Sequence, residues 1–328
     1  MEWSFVGALL SRTGSGDLGP NRVVERPKVV YNKATQKYVL WMHIDSSDYG
    51  EAKAGVAIGD SVCGKFEYKS SFRPLGFESR DQGVFVDEDN KGYLLTEDRK
   101  NGLRIDLLAD DYLTVKSATY VWKEKIESPT IIKKNGVYFM FGSKLTGWDA
   151  NDNVYSTATK LSGPWSGWKT FADSGSNTYQ SQTTYVLPVG SGAMYMGDRW
   201  VSSNLMRSTY IWLPLKLEGT TASMKNAVNW VVDASSGSMV RDHDAVSTSI
   251  SKVYANTLPT DIRPRRKHLR RRTRHSYRQR KICRLLGLRV RQSRRLHRRP
   301  RRGRRYLLRR TKHRYNAYHA AHQVHKWG

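Results

Sequence analysis

The sequence predicts an all-β fold, a β-propeller with one four-stranded sheet per blade. Four segments repeat one layout, and their anchors are 56, 46 and 55 residues apart, near the roughly 40–50 residues of a propeller blade. Each segment is followed by a turn and a second strand, a hairpin signal. No stretch of ten residues sustains a helical period, which argues against alternating strands and helices. A β-sandwich is the alternative use of such strands.

The four segments are ERPKVVYN at Glu25, DQGVFVDE at Asp81, ESPTIIKK at Glu127 and QTTYVLPV at Gln182. Each opens on a polar residue, carries Pro27, Gly83, Pro129 or Thr184 two places on, and runs into β-branched or aromatic residues. Their second strands read QKYVLWMHI, KGYLLTED, GVYFMFGSK and GAMYMGDRW. Turns are expected at Asn90-Lys91-Gly92, Asn135-Gly136 and Gly190-Ser191-Gly192. A later element recurs as GKFEYKSSFRPLG and GPWSGWKTFADSG, and the opening MEWSFVGALLS is similar to it. If that opening is an outermost strand, the N-terminal blade is incomplete in this chain and one sheet edge is exposed.

Charge divides the chain in two. The whole carries a formal net charge of +27, which would suit a nucleic-acid or membrane-surface binder. Residues 251–328 hold 28 basic residues against one acid, Asp261, whereas residues 1–250 balance at 28 against 28. Residues 1–250 also hold nine of the ten Trp and 13 of the 18 Tyr, so they read as the globular domain. No apolar run approaches the ~20 residues of a membrane span, and the N-terminus lacks the basic start of a signal peptide. The two cysteines, Cys63 and Cys283, are too few for a disulfide framework or a four-cysteine zinc site.

In a propeller the innermost strands line a central channel, so residues that open those strands converge at one mouth. Glu25, Asp81, Glu127 and Gln182 hold that place in four successive blades. Singly, an Asp or Glu before a strand is a turn former; four at one register read as a site. Like charges raise one another's pKa, so one carboxyl keeps its proton near neutral pH. A protonated carboxylic acid opposite an ionised or polar partner is the equipment of glycoside hydrolysis. Trp41, Trp148, Trp200 and Tyr49 could stack on a sugar face, or serve as inter-blade core. His43 in WMHID could face the channel or be a structural histidine. Asp198 and Arg199 in GDRW could form a hydrogen-bonding clamp or an ion pair within a blade.

These motifs resemble glycoside hydrolase family 43. TGSGDLGPNRVVERPKVVYN, WMHID, DQGVFVDEDNKGYLL, IESPTI and MGDRW…YIWLPL, over about residues 1–240, are most similar to its exo-β-1,3-galactanase branch. The resemblance implies a five-bladed propeller and an inverting, extracellular hydrolase that takes galactose from the non-reducing ends of β-1,3-galactan. It implies that Glu127 is the general acid, Asp81 the aspartate that positions it, and Glu25 a third pocket carboxylate. Gln182 falls where a water-holding residue is expected, and the family's usual aspartate base is missing. An α-L-arabinofuranosidase or β-xylosidase of the same family, or a non-catalytic sugar-binding propeller, are the alternatives. The expected partner is a polysaccharide, met by a monomer with no membrane role. No cofactor is expected, and a structural Ca²⁺ is not predicted, because the carboxylates show no metal-ligand spacing.

The tail, residues 251–328, has 23 Arg and five Lys. It reads as a basic nucleic-acid-binding arm or, preferred here, as out-of-frame sequence that orders no core. His319, His322 and His325 at i, i+3 spacing make no site without a scaffold.

Overall fold

The computed structural model describes residues 5–232, 236 and 239–241. The basic tail, its histidines and Met1–Ser4 lie outside the described residues. Four antiparallel meanders make up the fold. The first is β1 (Arg22–Asn32), β2 (Lys37–Ser46), β3 (Lys53–Gly59) and β4 (Phe66–Phe72). The second is β5 (Gln82–Val86), β6 (Gly92–Asp98), β7 (Gly102–Leu108) and β8 (Val115–Val121). β9 (Ile126–Lys134), β10 (Val137–Lys144), β11 (Val154–Ala158) and β12 (Lys169–Thr170) form the third. β13 (Gln182–Val189), β14 (Gly192–Arg199), β15 (Thr209–Glu218) and β16 (Thr221–Met224) form the fourth, followed by the pair β17 (Trp230–Val232) and β18 (Met239–Arg241).

Each meander is a propeller blade. The first strands β1, β5, β9 and β13 stand side by side around a channel, β5 and β13 both packing on β9. The turns fall where expected; at Asn135-Gly136 both residues have positive φ, 51° and 77°, the geometry of a type I′ hairpin turn. The core lies between blades. Trp41, Val56, Val84 and Leu94 join the first two. Leu95, Ile105, Met140 and Trp122 join the second and third. Phe139, Phe141, Tyr195 and Leu213 join the third and fourth. Alternating strands bury one residue toward each neighbouring sheet, which explains why the central strands are apolar on both faces.

One expectation needs correction. Residues 5–11 of MEWSFVGALLS form no strand. Leu9 and Leu10 instead lie against Leu40, Met42, Ile44 and Phe66, and the Leu9 carbonyl accepts the Phe66 amide at 2.7 Å. Among the described residues no second blade covers that face of the first sheet, and the segment lies on it. Its apolar residues imitate a strand pattern because they face a core, without a partner strand to pair with. The two elements it was compared with are outer strands, β4 and the short β12.

Blade contact at the channel explains one repeat position. A Cβ on Gly83 would sit 2.3 Å from the Pro129 carbonyl oxygen of the next blade, so β5 and β9 can approach only over a glycine. Gly83→Ala is expected to cost about 1–3 kcal/mol in denaturant unfolding. Gly167→Ala, where nothing lies within 4 Å, should stay within about 0.5 kcal/mol of the parent.

Candidate active site

Bulges at the start of the inner strands build the site. In β1 Glu25 pairs with His43 and Lys28 with Trp41, so one residue is extra. In β9 Glu127 pairs with Ser143 and Thr130 with Phe141, again with one extra. Strict alternation would send neighbouring side chains to opposite faces; a bulge re-aims one of them. Arg26 and Ser128 follow the anchors directly and have positive φ, 51° and 54°. Both therefore reach the same pocket as Glu25 and Glu127.

Arg26 ties three blades together. Its guanidinium reaches Asp81 Oδ2 at 2.7 Å, Gln182 Oε1 at 2.5 Å and Asp198 Oδ2 at 3.2 Å. Its carbon lies 5.5 Å from the ring centre of Trp200, within cation–π range. Gln182 is held on all sides. Its carbonyl oxygen accepts from Arg26 and from Trp200 Nε1 at 2.9 Å. Its amide nitrogen donates to Glu127 Oε1 at 2.8 Å and to Ser143 Oγ at 3.0 Å. The two ends of the amide are thereby distinguished.

The approach to Gln182 is a left-handed turn, Asn177–Gln180, in which all four residues have φ between 52° and 59°. Such a run costs roughly 1–2 kcal/mol per residue and persists only because its surroundings determine it. Asp152 accepts the Asn177 amide at 2.8 Å. Thr178 Oγ1 donates to the Asn151 carbonyl at 3.0 Å, and Asn153 Oδ1 accepts from Thr183 N at 2.7 Å.

Two carboxyls in this cluster are pushed apart. Burial works against the ionised Asp81. The Arg26 charge, with bonds from Ser128 N at 3.0 Å and Ser128 Oγ at 2.8 Å, outweighs it and holds Asp81 below the usual carboxylate range. Burial and then the Asp81 charge push Glu127 up to about 8, with Arg26 opposing. Burial also raises Asp198, against the pull of Arg26 and Lys28. One carboxyl holds its proton at neutral pH beside another that has lost it, the division of labour needed for acid catalysis.

The remaining residues separate cleanly. Glu25 accepts from Tyr49 Oη at 2.8 Å and contacts His43 Nδ1 at 3.2 Å, forming one wall of the pocket. His43 is 1% exposed and is spanned by Glu25 and Asp45, so it orients Glu25 from behind. Trp148 is exposed and meets Trp200 edge-on at 5.5 Å, at the pocket mouth. Of the two roles open to Trp41, the core is the one it takes: it is fully buried between the first two blades, its Nε1 bonded to the Tyr112 carbonyl. One reading is corrected. Arg199 makes no pair with Asp198; alternation turns it away, and it donates to the Tyr179 carbonyl at 2.9 Å, bracing the left-handed turn. Arg26, Ser128 and Ser143 escaped the reading of the sequence. The signal for Arg26 was a cation beside the first anchor of a pocket with excess acid. Among the described residues no group of three or more His, Cys, Asp or Glu is arranged to hold a metal.

Removing the Arg26 charge leaves Asp81 buried without its cation and Asp198 with Lys28 alone. Arg26→Leu is expected to lower unfolding free energy by about 3–5 kcal/mol. Arg26→Lys should recover only part of it, because an ammonium does not reproduce the planar fork. Urea unfolding of the three proteins measures both.

The family model for glycosyl hydrolases family 43 matches residues 3–184. The exo-β-1,3-galactanase from Phanerochaete chrysosporium, solved with β-1,3-galactotriose, is 40% identical with a TM-score of 0.69, over 70% of this chain and 55% of that one. An exo-β-1,3-galactanase from Clostridium thermocellum is 36% identical with a TM-score of 0.68, over 72% and 55%. A Bifidobacterium bifidum s17 protein assigned the same activity is 42% identical with a TM-score of 0.66, over 68% and 78%. The chain thus spans about half the length of the fungal and clostridial proteins. A search of curated proteins found no match. With the family model matched over more than half of the chain and relatives at 36–42% identity across more than two thirds of it, the chain belongs to glycoside hydrolase family 43.

Proposed function

We propose that the chain is an exo-acting glycosidase that releases galactose from the non-reducing ends of β-1,3-galactan with inversion. The observation that carries this reading is the pair Glu127 and Asp81, one carboxyl protonated at neutral pH and the other ionised. The substrate reading is supported by the galactanases to which the chain is similar over about 70% of its length. Such a polymer is met outside the cell, so extracellular action belongs to the same proposal.

In the reaction Glu127 gives its proton to the glycosidic oxygen as the bond to the anomeric carbon breaks. Asp81, fixed by Arg26 and Ser128, stays ionised and opposes loss of the Glu127 proton before substrate arrives. Its charge also favours the positive character of the oxocarbenium-like transition state. Tyr49 and Glu25 present hydroxyl and carboxylate groups suited to the polar edge of a sugar. Water bonds to the anomeric carbon from the face opposite the leaving oxygen, and its proton passes to solvent. Gln182 contributes placement. Four protein partners fill both ends of its amide, and an amide is no base near neutral pH.

Galactose release from β-1,3-galactan tests the proposal. Glu127→Gln is expected to lower kcat by about 10²–10⁴. The rate should fall as pH rises through about 8, because Glu127 loses its proton there. Release unaffected by Glu127→Gln would overturn the assignment.

A further inference from the structure

We propose that Glu97 is a positioning residue for the acid, a buried carboxylate behind Asp81 whose charge keeps the proton on Glu127. The inference rests on reading Glu127 as the acid.

Glu97 lies on β6, across from the chain that enters β5. Its amide donates to the Asp81 carbonyl at 2.9 Å, and its own carbonyl accepts the Arg80 amide at 3.0 Å. β6 also packs on β9, the strand that carries Glu127. The Glu97 side chain is completely buried, and among the described residues neither carboxylate oxygen has a hydrogen-bond partner. A group in that state is costly. It ties down no loop and caps no strand, so packing alone gives no reason for a carboxylate there.

The cations around it are committed elsewhere. Arg80 bonds Glu78 at 2.5 Å, and Lys100 reaches the same carboxylate at 3.0 Å. Arg104 pairs with Asp98 at 3.0 Å and Asp106 at 3.3 Å. Arg26 serves Asp81, Asp198 and Gln182. Among the described residues Arg99 is the one cation within 4 Å of Glu97, with Nε 3.6 Å away and half of its side chain in solvent. The charges that face Glu97 are therefore Arg80 and Asp81 from the entry to β5, Asp98 and Arg99 from its own strand and turn, and Glu127 from β9.

The electrostatics agree with the geometry. Burial, the largest influence, pushes Glu97 up to about 7, with Arg99 opposing and Asp81 adding to it. The Glu97 charge in turn adds to the climb of Glu127. Asp81 is held in its ionised form by Arg26, so the Glu97 charge adds to that of Asp81 at Glu127. Removing the negative charge of Glu97 must make Glu127 a stronger acid.

Proteins labelled with ¹³C at the Glu side-chain carboxyl allow Glu127 to be titrated directly, its signal assigned through Glu127→Gln. In Glu97→Gln and Glu97→Met the Glu127 midpoint should fall by about half to one pH unit relative to the parent. The alkaline limb of galactose release should move acidward by the same amount, with the rate near pH 5 kept within about threefold. An unchanged Glu127 midpoint in folded variants would overturn the inference, as would an even loss of activity at every pH. Failure of both neutral variants to fold would make Glu97 a structural group and equally overturn it. A shifted midpoint in a protein that releases no galactose would leave the inference standing and remove the proposed activity instead.

Discussion

The guanidinium of Arg26 is the contact on which the site depends. It comes from the first blade, meets Asp81 of the second, and meets Gln182 and Asp198 of the fourth. Two carboxylates could not otherwise be buried together at a channel mouth, since desolvation would drive both to take up protons. With the guanidinium between them, Asp81 stays ionised, and its charge then works on Glu127 rather than being cancelled. One cation placed nearer Asp81 than Glu127 thereby separates two carboxyls of the same pocket into an acid and an anion.

That placement depends on backbone irregularity. A regular β1 would bring either Glu25 or Arg26 to the pocket. The bulge and the left-handed φ at Arg26 bring both, and the same device at Ser128 supplies two donors to Asp81. Gln182 is delivered by different means, a left-handed turn held by Asp152, Asn153 and Arg199. Left-handed residues held in place by their neighbours are what a preorganised pocket requires.

Much of this was legible in the residues. The register of Glu25, Asp81, Glu127 and Gln182 gave the blades and the pocket together, because one structural repeat places one residue per blade at the same height. Repeat logic also set its limits. It assigns one residue to each blade, so Arg26, the second in its blade, was passed over. Period-two alternation was no help there, since a bulge is a local backbone event with no consistent composition. The role of Trp41 stayed open in the sequence because an aromatic on a strand beside a channel looks alike whether it faces the sugar or the next sheet. Residues 5–11 of the opening were misread because a coil that covers a core needs apolar residues as a strand does.

In the proposed reaction Glu127 is the only carboxyl that exchanges a proton with the substrate, and water, not a carboxylate nucleophile, attacks the anomeric carbon. Inversion is the stereochemical consequence. The direct test is the configuration of the first sugar released from β-1,3-galactan, followed by proton NMR before mutarotation. α-Galactose appearing first is the predicted result. β-Galactose appearing first would require a covalent intermediate on a pocket carboxylate and would contradict the account.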